Sequence, residues 1–199
     1  CEDYVLPAVD LAIIVADPNP TRAALLQPLF KELEQRRTPH AVFVNKIDQA
    51  HGGLDELLAA MAPASGNRLV ARQIPLVEKE HVTGFVDLAL ERAFVYRPGQ
   101  PSQQVDLSGD VAALEADARF HMLEQLADFD DTLMEQLLSD LNPSQDTVFA
   151  DLVADLAQGL ITPVFFGSAQ NGFGVRRLLK ALRHETPDVM AAAARMGID

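Results

Sequence analysis

Three apolar runs constrain the fold of this chain more than any other feature of its sequence. They occupy residues 11–16, 41–44 and 161–166, and Thr162 is the single polar residue among them. A run without polar alternation is typical of a strand that is buried on both faces, as strands of parallel sheets are. Amphipathic segments at 21–37, 54–61 and 174–184 follow these runs and predict helices, the first of them kinked at Pro28. Strands that alternate with helices predict an α/β fold with a parallel sheet.

The segment that follows the second predicted helix has a different pattern. Residues 69–77 and 84–96 alternate between apolar and polar side chains, which predicts antiparallel strands. The stretch 98–109 is rich in Pro, Gln and Ser and is predicted to be a loop.

A helical region then leads back to the third apolar run. Apolar residues recur at steps of three and four over 111–139, which predicts a long helix or a helix pair. Asn142-Pro143 resembles the start of another helix, which should stop near Gly159. We therefore predict a core formed by 1–65 and 159–199, into which 66–158 is inserted as an α+β subdomain.

Composition limits the possible environments and partners. The 199 residues are 48% hydrophobic, enough for a substantial core, and carry a formal charge of −13. Affinity for nucleic-acid phosphate comes from Lys and Arg, so we expect no direct nucleic-acid binding. The single cysteine, Cys1, fits a reducing compartment and predicts a cytoplasmic location. No apolar run approaches the roughly 20 residues of a membrane-spanning helix, so no membrane association is expected.

Four residues directly after the second apolar run carry the most specific chemistry. Asn45-Lys46-Ile47-Asp48 matches the N-K-x-D motif of GTPases. There the Asp carboxylate accepts both N–H donors of the guanine edge, the Asn amide pairs with the base, and the Lys stem lies along the ring. The motif falls at the carboxyl end of a predicted parallel strand, where ligands of such sheets bind. The alternative for Asp48 is a simple helix N-cap.

A second element follows the third apolar run. Gly167-Ser168-Ala169 comes directly after that run, and Gly174-Val175 opens the next predicted helix. In GTPases the corresponding S-A turn offers a backbone N–H, here that of Ala169, to the guanine O6. We therefore predict that Ser168 and Ala169 close a guanine pocket with Asn45, Lys46 and Asp48.

The material between these two elements resembles the bacterial elongation factor G family. The resemblance extends over nearly the whole chain and rests on the segments 72–76, 84–88, 92–96, 123–135, 161–169 and 178–187. It implies a P-loop-NTPase-like G domain that binds GTP or GDP with Mg²⁺. It also implies a ribosome-dependent GTPase whose inserted subdomain meets the ribosomal stalk protein.

Two family elements are missing from the sequence. It contains no G-x-x-x-x-G-K-[ST] phosphate loop, and no D-x-x-G-H element precedes the first strand. We therefore expect an N-terminally truncated G domain. The phosphate-binding, Mg²⁺-binding and catalytic residues should lie upstream of Cys1, and this chain alone should not hydrolyse GTP. Asp17-Pro18-Asn19-Pro20 departs from the family's D-A-x-x-G-V segment and favours a divergent paralogue.

Two alternatives remain at the level of sequence. The chain could be a regulatory or protein-docking module of a divergent paralogue, with weak nucleotide affinity. An unrelated Rossmann-like enzyme is a more distant alternative, since its Gly-rich first turn is absent. The five histidines show no metal-ligand spacing.

Overall fold

The computed structural model describes residues 6–50, 53–107, 109–195 and 197. Its strands are β1 (Ala12–Ala16), β2 (His40–Val44), β3 (Arg68–Ala71), β4 (Gln73–Glu78), β5 (His81–Asp87), β6 (Arg92–Val95), β7 (Gln103–Val105) and β8 (Ile161–Phe166). Its α-helices are α1 (Gln27–Gln35), α2 (Leu54–Met61), α3 (Asp110–Ala127), α4 (Asp131–Leu138), α5 (Gln145–Gln158), α6 (Val175–Glu185) and α7 (Val189–Arg195). Short 3-10 helices cover Leu6–Ala8, Pro20–Leu26, Ile47–Gln49 and Ala62–Ala64.

The first sheet is parallel, with strand order β1-β2-β8-β3. All residues of β2 and β8 are buried, including His40 and Thr162, as strands in the interior of a parallel sheet should be. The expectation that residues 11–16 are buried on both faces is wrong, because β1 lies at the end of the strand order and its Val15 is 62% exposed. The helices that follow β1 and β2 pack on one face of the sheet, where Phe30, Val42 and Met61 are fully buried. The predicted α/β class with a parallel sheet is confirmed.

The second sheet is antiparallel, with strand order β4-β5-β6-β7. Lys79 and Glu80 connect β4 to β5, and both have positive φ angles, 49° and 66°. This backbone geometry suits a tight hairpin because its twist matches that of the flanking strands.

The helices α3–α5 pack around an apolar cluster that includes Leu126, Leu133 and Leu152 and extends to Val70 of β3 and Ile161 of β8. Of the two alternatives predicted for 111–139, the structure has the helix pair: Asp130 caps α4 by accepting from the backbone N–H of Leu133 at 2.9 Å. The start predicted at Asn142-Pro143 is wrong by two residues, because Ser144 is the N-cap of α5. The predicted end at Gly159 is confirmed by its left-handed φ of 70°.

Three other predictions differ from the structure. The segment 69–77 is not one antiparallel strand, because β3 pairs in parallel with β8 and only β4 joins the second sheet. The alternation of apolar and polar residues in a short strand does not identify the strand with which it pairs. The pairing of β3 with β8 favours a subdomain boundary near Arg72 rather than at residue 66. The division into subdomains stays a prediction.

The segment 98–109 is not entirely loop, since β7 pairs with β6 there. The kinked helix predicted over 21–37 is wrong as well. Instead, the 3-10 helix Pro20–Leu26 precedes α1, and Pro28 lies in the first turn of α1. Backbone N–H groups in the first turn of a helix have no partner within the helix, so proline costs no hydrogen bond there.

A buried ionic cluster joins the two sheets. Arg72, fully buried between β3 and β4, pairs bidentately with Glu185 of α6. Arg177 of α6 pairs with Asp87 of β5. Both guanidinium groups lie over the ring of Phe165, at 5.3 and 5.7 Å from its centroid. Removing one partner of such a pair would leave an uncompensated buried charge, so the cluster fixes how the second sheet sits on the first.

Candidate functional site

The two predicted sequence elements meet where β2 and β8 end. These strands are neighbours in the parallel sheet, with Val44 opposite Phe166. Two backbone hydrogen bonds extend the pairing past the strand ends: Gly167 N donates to Val44 O at 2.9 Å, and Ile47 N donates to Gly167 O at 3.0 Å. The carboxyl ends of adjacent parallel strands therefore bring the two loops together.

The first loop is a sharp turn that directs four side chains in three directions. Lys46 has a left-handed backbone, with φ of 60°, and its side chain is exposed. Ile47 points into the core and is 6% exposed. Asn45 and Asp48 are half-buried and face the second loop. A buried Ile between polar residues anchors the turn to the apolar core.

The second loop closes on itself between Ser168 and Phe173. Each of these residues donates its backbone N–H to the other's carbonyl at 3.0 Å. Gly167 is required here by close approach, because a Cβ would lie 2.2 Å from the Phe173 carbonyl oxygen. Gly174 has φ of 73° and would bring a Cβ within 2.4 Å of the Phe166 carbonyl oxygen. The two glycines allow the loop to return directly over the end of β8.

Side chains link the two loops across their facing edges. Asn45 Oδ1 accepts a hydrogen bond from the backbone N–H of Ala169 at 2.9 Å. Asn171 Nδ2 donates to Asp48 Oδ2 at 3.3 Å and to Ser168 Oγ at 3.1 Å. The structure thus gathers the predicted site residues at one place.

The carboxylate of Asp48 is only half satisfied. Its Oδ2 accepts from Asn171, whereas its Oδ1 is buried and has no hydrogen-bond partner among the residues that the structure describes. Buried polar atoms are nearly always paired in proteins, because an unpaired one costs the free energy of its lost hydration. The carboxylate of Asp48 therefore has unused capacity to accept hydrogen bonds.

Two contributors to this site were missed by sequence reasoning. Asn171 lies between Gly167-Ser168-Ala169 and Gly174-Val175, the two sequence elements of the second loop. Its pairing with Gly172 is a turn signal that could have drawn attention to its amide. Tyr96, at the end of β6, stacks on the ring of Phe173 with centroids 4.5 Å apart and planes inclined by 1°. Nothing local in the sequence marks that contact.

A polar cleft of about 360 Å³ lies beside the first loop. Its lining includes Lys46, Gln49, Asn19 and the ion pair between Arg22 and Asp17, whose closest N–O distance is 2.8 Å. A larger apolar groove of about 1050 Å³ lies away from this site, between α2 and α3.

Neither a metal site nor a membrane span is found in the described part of the chain. No group of three or more His, Cys, Asp or Glu side chains there could hold a metal ion. None of the helices formed by residues 6–50, 53–107, 109–195 and 197 is long and apolar enough to cross a membrane.

Comparison with known proteins identifies the fold and the family. The chain is 40% identical over 187 residues to an elongation factor G-like protein of Synechocystis, covering 94% of this chain and 28% of that protein. It is 24% identical over 197 residues to elongation factor G of Rhodopseudomonas palustris, covering 98% of this chain and 29% of that protein. The chain spans less than a third of the length of these curated relatives.

A crystal structure of a protein from Thermus thermophilus matches the fold with a TM-score of 0.76 at 21% identity. That match covers 92% of this chain and 27% of the other. The family model described as the elongation factor Tu GTP binding domain matches residues 4–188, which is most of the chain. This protein therefore belongs to the elongation factor Tu GTP-binding domain family of translational GTPases.

Proposed function

We propose that this chain is the guanine-binding part of an elongation-factor-G-like translational GTPase. The observation that carries the proposal is the buried Asp48 Oδ1, which lacks a partner among the described residues, beside the Asn45–Ala169 bond. Guanine presents two adjacent N–H donors on one edge, and a carboxylate offers two acceptor oxygens. Adenine lacks that donor pair, so the site would select guanine.

Each residue of the site has a proposed role. Asp48 accepts the two N–H donors of the base, Asn45 contributes its amide, and the stem of Lys46 covers one face of the ring. Ser168 and Ala169 close the pocket from the second loop. The Ala169 N–H is donated to Asn45 Oδ1 in this structure. We propose that guanine O6 shares that donor, so the pocket remains hydrogen-bonded with and without nucleotide.

The role that we propose for this chain is limited to recognition of the base. Its 199 residues contain no G-x-x-x-x-G-K-[ST] segment to cradle phosphates. Among the described residues, no group of three or more His, Cys, Asp or Glu side chains could hold Mg²⁺. We propose that the whole protein couples GTP hydrolysis to a ribosome-dependent step of translation. Its membership in a family of elongation-factor GTP-binding domains supports this proposal.

Exchange of Asp48 tests the base-reading role. In the complete natural protein that contains this chain, Asp48→Asn should weaken GDP binding about 10- to 100-fold, since it removes charge-assisted hydrogen bonds. Binding of xanthosine diphosphate should strengthen, because xanthine presents a carbonyl that the new amide can serve. Titration of both nucleotides against the unaltered protein measures this exchange. Unchanged affinity for both would refute the assignment.

A docking role for the inserted segment is a second candidate, favoured by its exposed apolar side chains. Phe120, Leu138 and Leu141 are 50%, 79% and 59% exposed on a chain of net charge −13. We propose the ribosomal stalk protein as the partner. Leu138→Ser with Leu141→Ser should weaken stalk binding and leave GDP binding unchanged. Equal stalk binding by the variant and the unaltered protein would exclude this surface.

A further inference from the structure

The loop that carries Ser168 and Ala169 also carries an amide that contacts both halves of the site. Asn171 lies inside the segment closed by the paired backbone bonds of Ser168 and Phe173. Gly172 N donates to Ala169 O at 3.2 Å, and Gly172 has φ of 72°, so the chain turns sharply directly after Asn171. The position of the Asn171 side chain is therefore set by the backbone of a closed loop.

Nδ2 of Asn171 bridges two acceptors. One is Asp48 Oδ2 at 3.3 Å and the other is Ser168 Oγ at 3.1 Å. An amide nitrogen carries two hydrogens, so it can donate to both oxygens at once. Ser168 is 2% exposed, and its buried hydroxyl gives the amide a fixed point of attachment.

The orientation of the Asp48 carboxylate depends on such a contact. Rotation about χ2 of Asp is broad and weakly restricted, so a carboxylate without partners samples many orientations. Here Oδ2 is held by Asn171, while Oδ1 is buried without a partner among the described residues. Fixing one oxygen fixes the plane of the group and therefore the direction in which the other oxygen can accept.

We propose that Asn171 is a positioning residue that sets the Asp48 carboxylate for recognition of the guanine edge. This inference rests on the proposed function, because it assigns Asn171 a role in the same base pocket. Asn171 holds Oδ2 and so fixes the plane in which the carboxylate meets the base. A carboxylate already oriented loses less rotational freedom when the base binds, so affinity and base selectivity both increase.

Substitution of Asn171 in the complete natural protein tests the role. Asn171→Ala should raise the dissociation constant for GDP about 3- to 10-fold, the loss of one exposed hydrogen bond. Asn171→Asp keeps the shape but replaces the donor by an acceptor beside Asp48, and should weaken GDP binding further. Gln170→Ala is the matched control, because Gln170 is the exposed neighbouring residue in the same loop. It should bind GDP as the unaltered protein does.

A double-mutant cycle separates positioning from loop folding. If Asn171 acts through the carboxylate, Asn171→Ala should weaken GDP binding in the unaltered background. It should leave xanthosine diphosphate binding unchanged in the Asp48→Asn background. A general loss of loop structure would weaken GDP binding in the unaltered background and xanthosine diphosphate binding in the Asp48→Asn background alike. The inference is overturned if Asn171→Ala binds GDP like Gln170→Ala, or if its effect is equal in both backgrounds. Failure of Asp48→Asn to change nucleotide preference would instead refute the proposed function.

Discussion

Asn45 Oδ1 and the backbone N–H of Ala169 are 2.9 Å apart although 124 positions separate them in the chain. The bond joins the loop after β2 to the loop after β8, and it lies beside the backbone bonds that continue the pairing of these strands. One side chain thus bridges the two halves of the proposed base pocket.

We expect two substitutions of Asn45 to separate its structural contact with Ala169 from its role in base binding. Asn45→Ala removes the acceptor for Ala169 and should lower the free energy of unfolding by about 0.5–1.5 kcal/mol. Asn45→Asp keeps an acceptor oxygen but loses the amide donor, so its stability should stay near that of the unaltered protein while GDP binding weakens. Denaturant unfolding and nucleotide titration of both variants measure the two effects. Equal stability of Asn45→Ala and the unaltered protein would show that the bond contributes nothing.

Gly167 should not tolerate a side chain. An alanine Cβ would lie 2.2 Å from the carbonyl oxygen of Phe173 and 2.8 Å from Cζ of Phe43. The carbonyl belongs to the closed loop and cannot move freely, so Gly167→Ala should cost about 2 kcal/mol or more. Gly53→Ala is the control, because its Cβ would meet only Asp55 N, at 4.0 Å. A difference of less than about 0.5 kcal/mol between the two by thermal unfolding would contradict this account.

Tyr96 offers a comparison between ring and hydroxyl. Its ring stacks on Phe173, whereas its hydroxyl oxygen is buried without a partner in the described residues, and burial raises the pKa of that hydroxyl. Tyr96→Phe should therefore be neutral or stabilising, since it removes a buried unpaired polar group. Tyr96→Ala should cost about 3–5 kcal/mol through the cavity that it leaves. Urea unfolding of both variants provides the measurement, and a destabilising Tyr96→Phe would indicate a hydrogen bond that the structure lacks.

Asp155 should make stability depend on pH. It is 5% exposed on α5, and burial, followed by the charges of Asp151 and Asp130, raises its pKa to about 6 from 3.8. Because the raised pKa means that the folded state binds this proton more tightly, Asp155 destabilises the fold as pH rises from about 4 to about 6. Below that window the carboxyl is neutral in both states and costs nothing.

Replacement by an amide tests this assignment. Asp155→Asn should increase the free energy of unfolding by about 1–3 kcal/mol at pH 7. At pH 3.5 the gain should disappear. The exposed Asp117→Asn on α3 serves as a charge-matched control. Urea midpoints at both pH values give the comparison, and a gain of equal size at pH 3.5 and pH 7 would rule out titration of Asp155 as the cause.

The elements that could be predicted are those whose signal is local. The apolar runs predicted β1, β2 and β8, because strands of a parallel sheet carry few polar residues. N-K-x-D and G-S-A follow two of these strands directly, so their meeting at one edge could be predicted once a parallel sheet was inferred. Helix boundaries were less certain, as the capping of α5 by Ser144 shows.

The remaining features depend on partners that are distant in the chain. The pattern of β3 predicts part of an antiparallel strand, yet β3 pairs with β8, because the choice of partner depends on the whole sheet. Tyr96 and the Arg72–Glu185 pair show no pattern of their own in the sequence, and the Asn171-Gly172 turn signal does not reveal the partner of the amide. Each acquires its role from a residue brought near by folding.

The sequence by itself determined the class of fold and the two loops that hold the proposed base site. Periodicity and short motifs are properties of neighbouring residues, and they can be recognised without knowledge of the tertiary structure. Only the tertiary structure decided that Asp48 keeps one buried unpaired oxygen, among the residues described, while Asn171 holds the other. Hydrogen bonding and burial are set by which distant side chains come within about 3 Å, and packing of the whole chain fixes those distances.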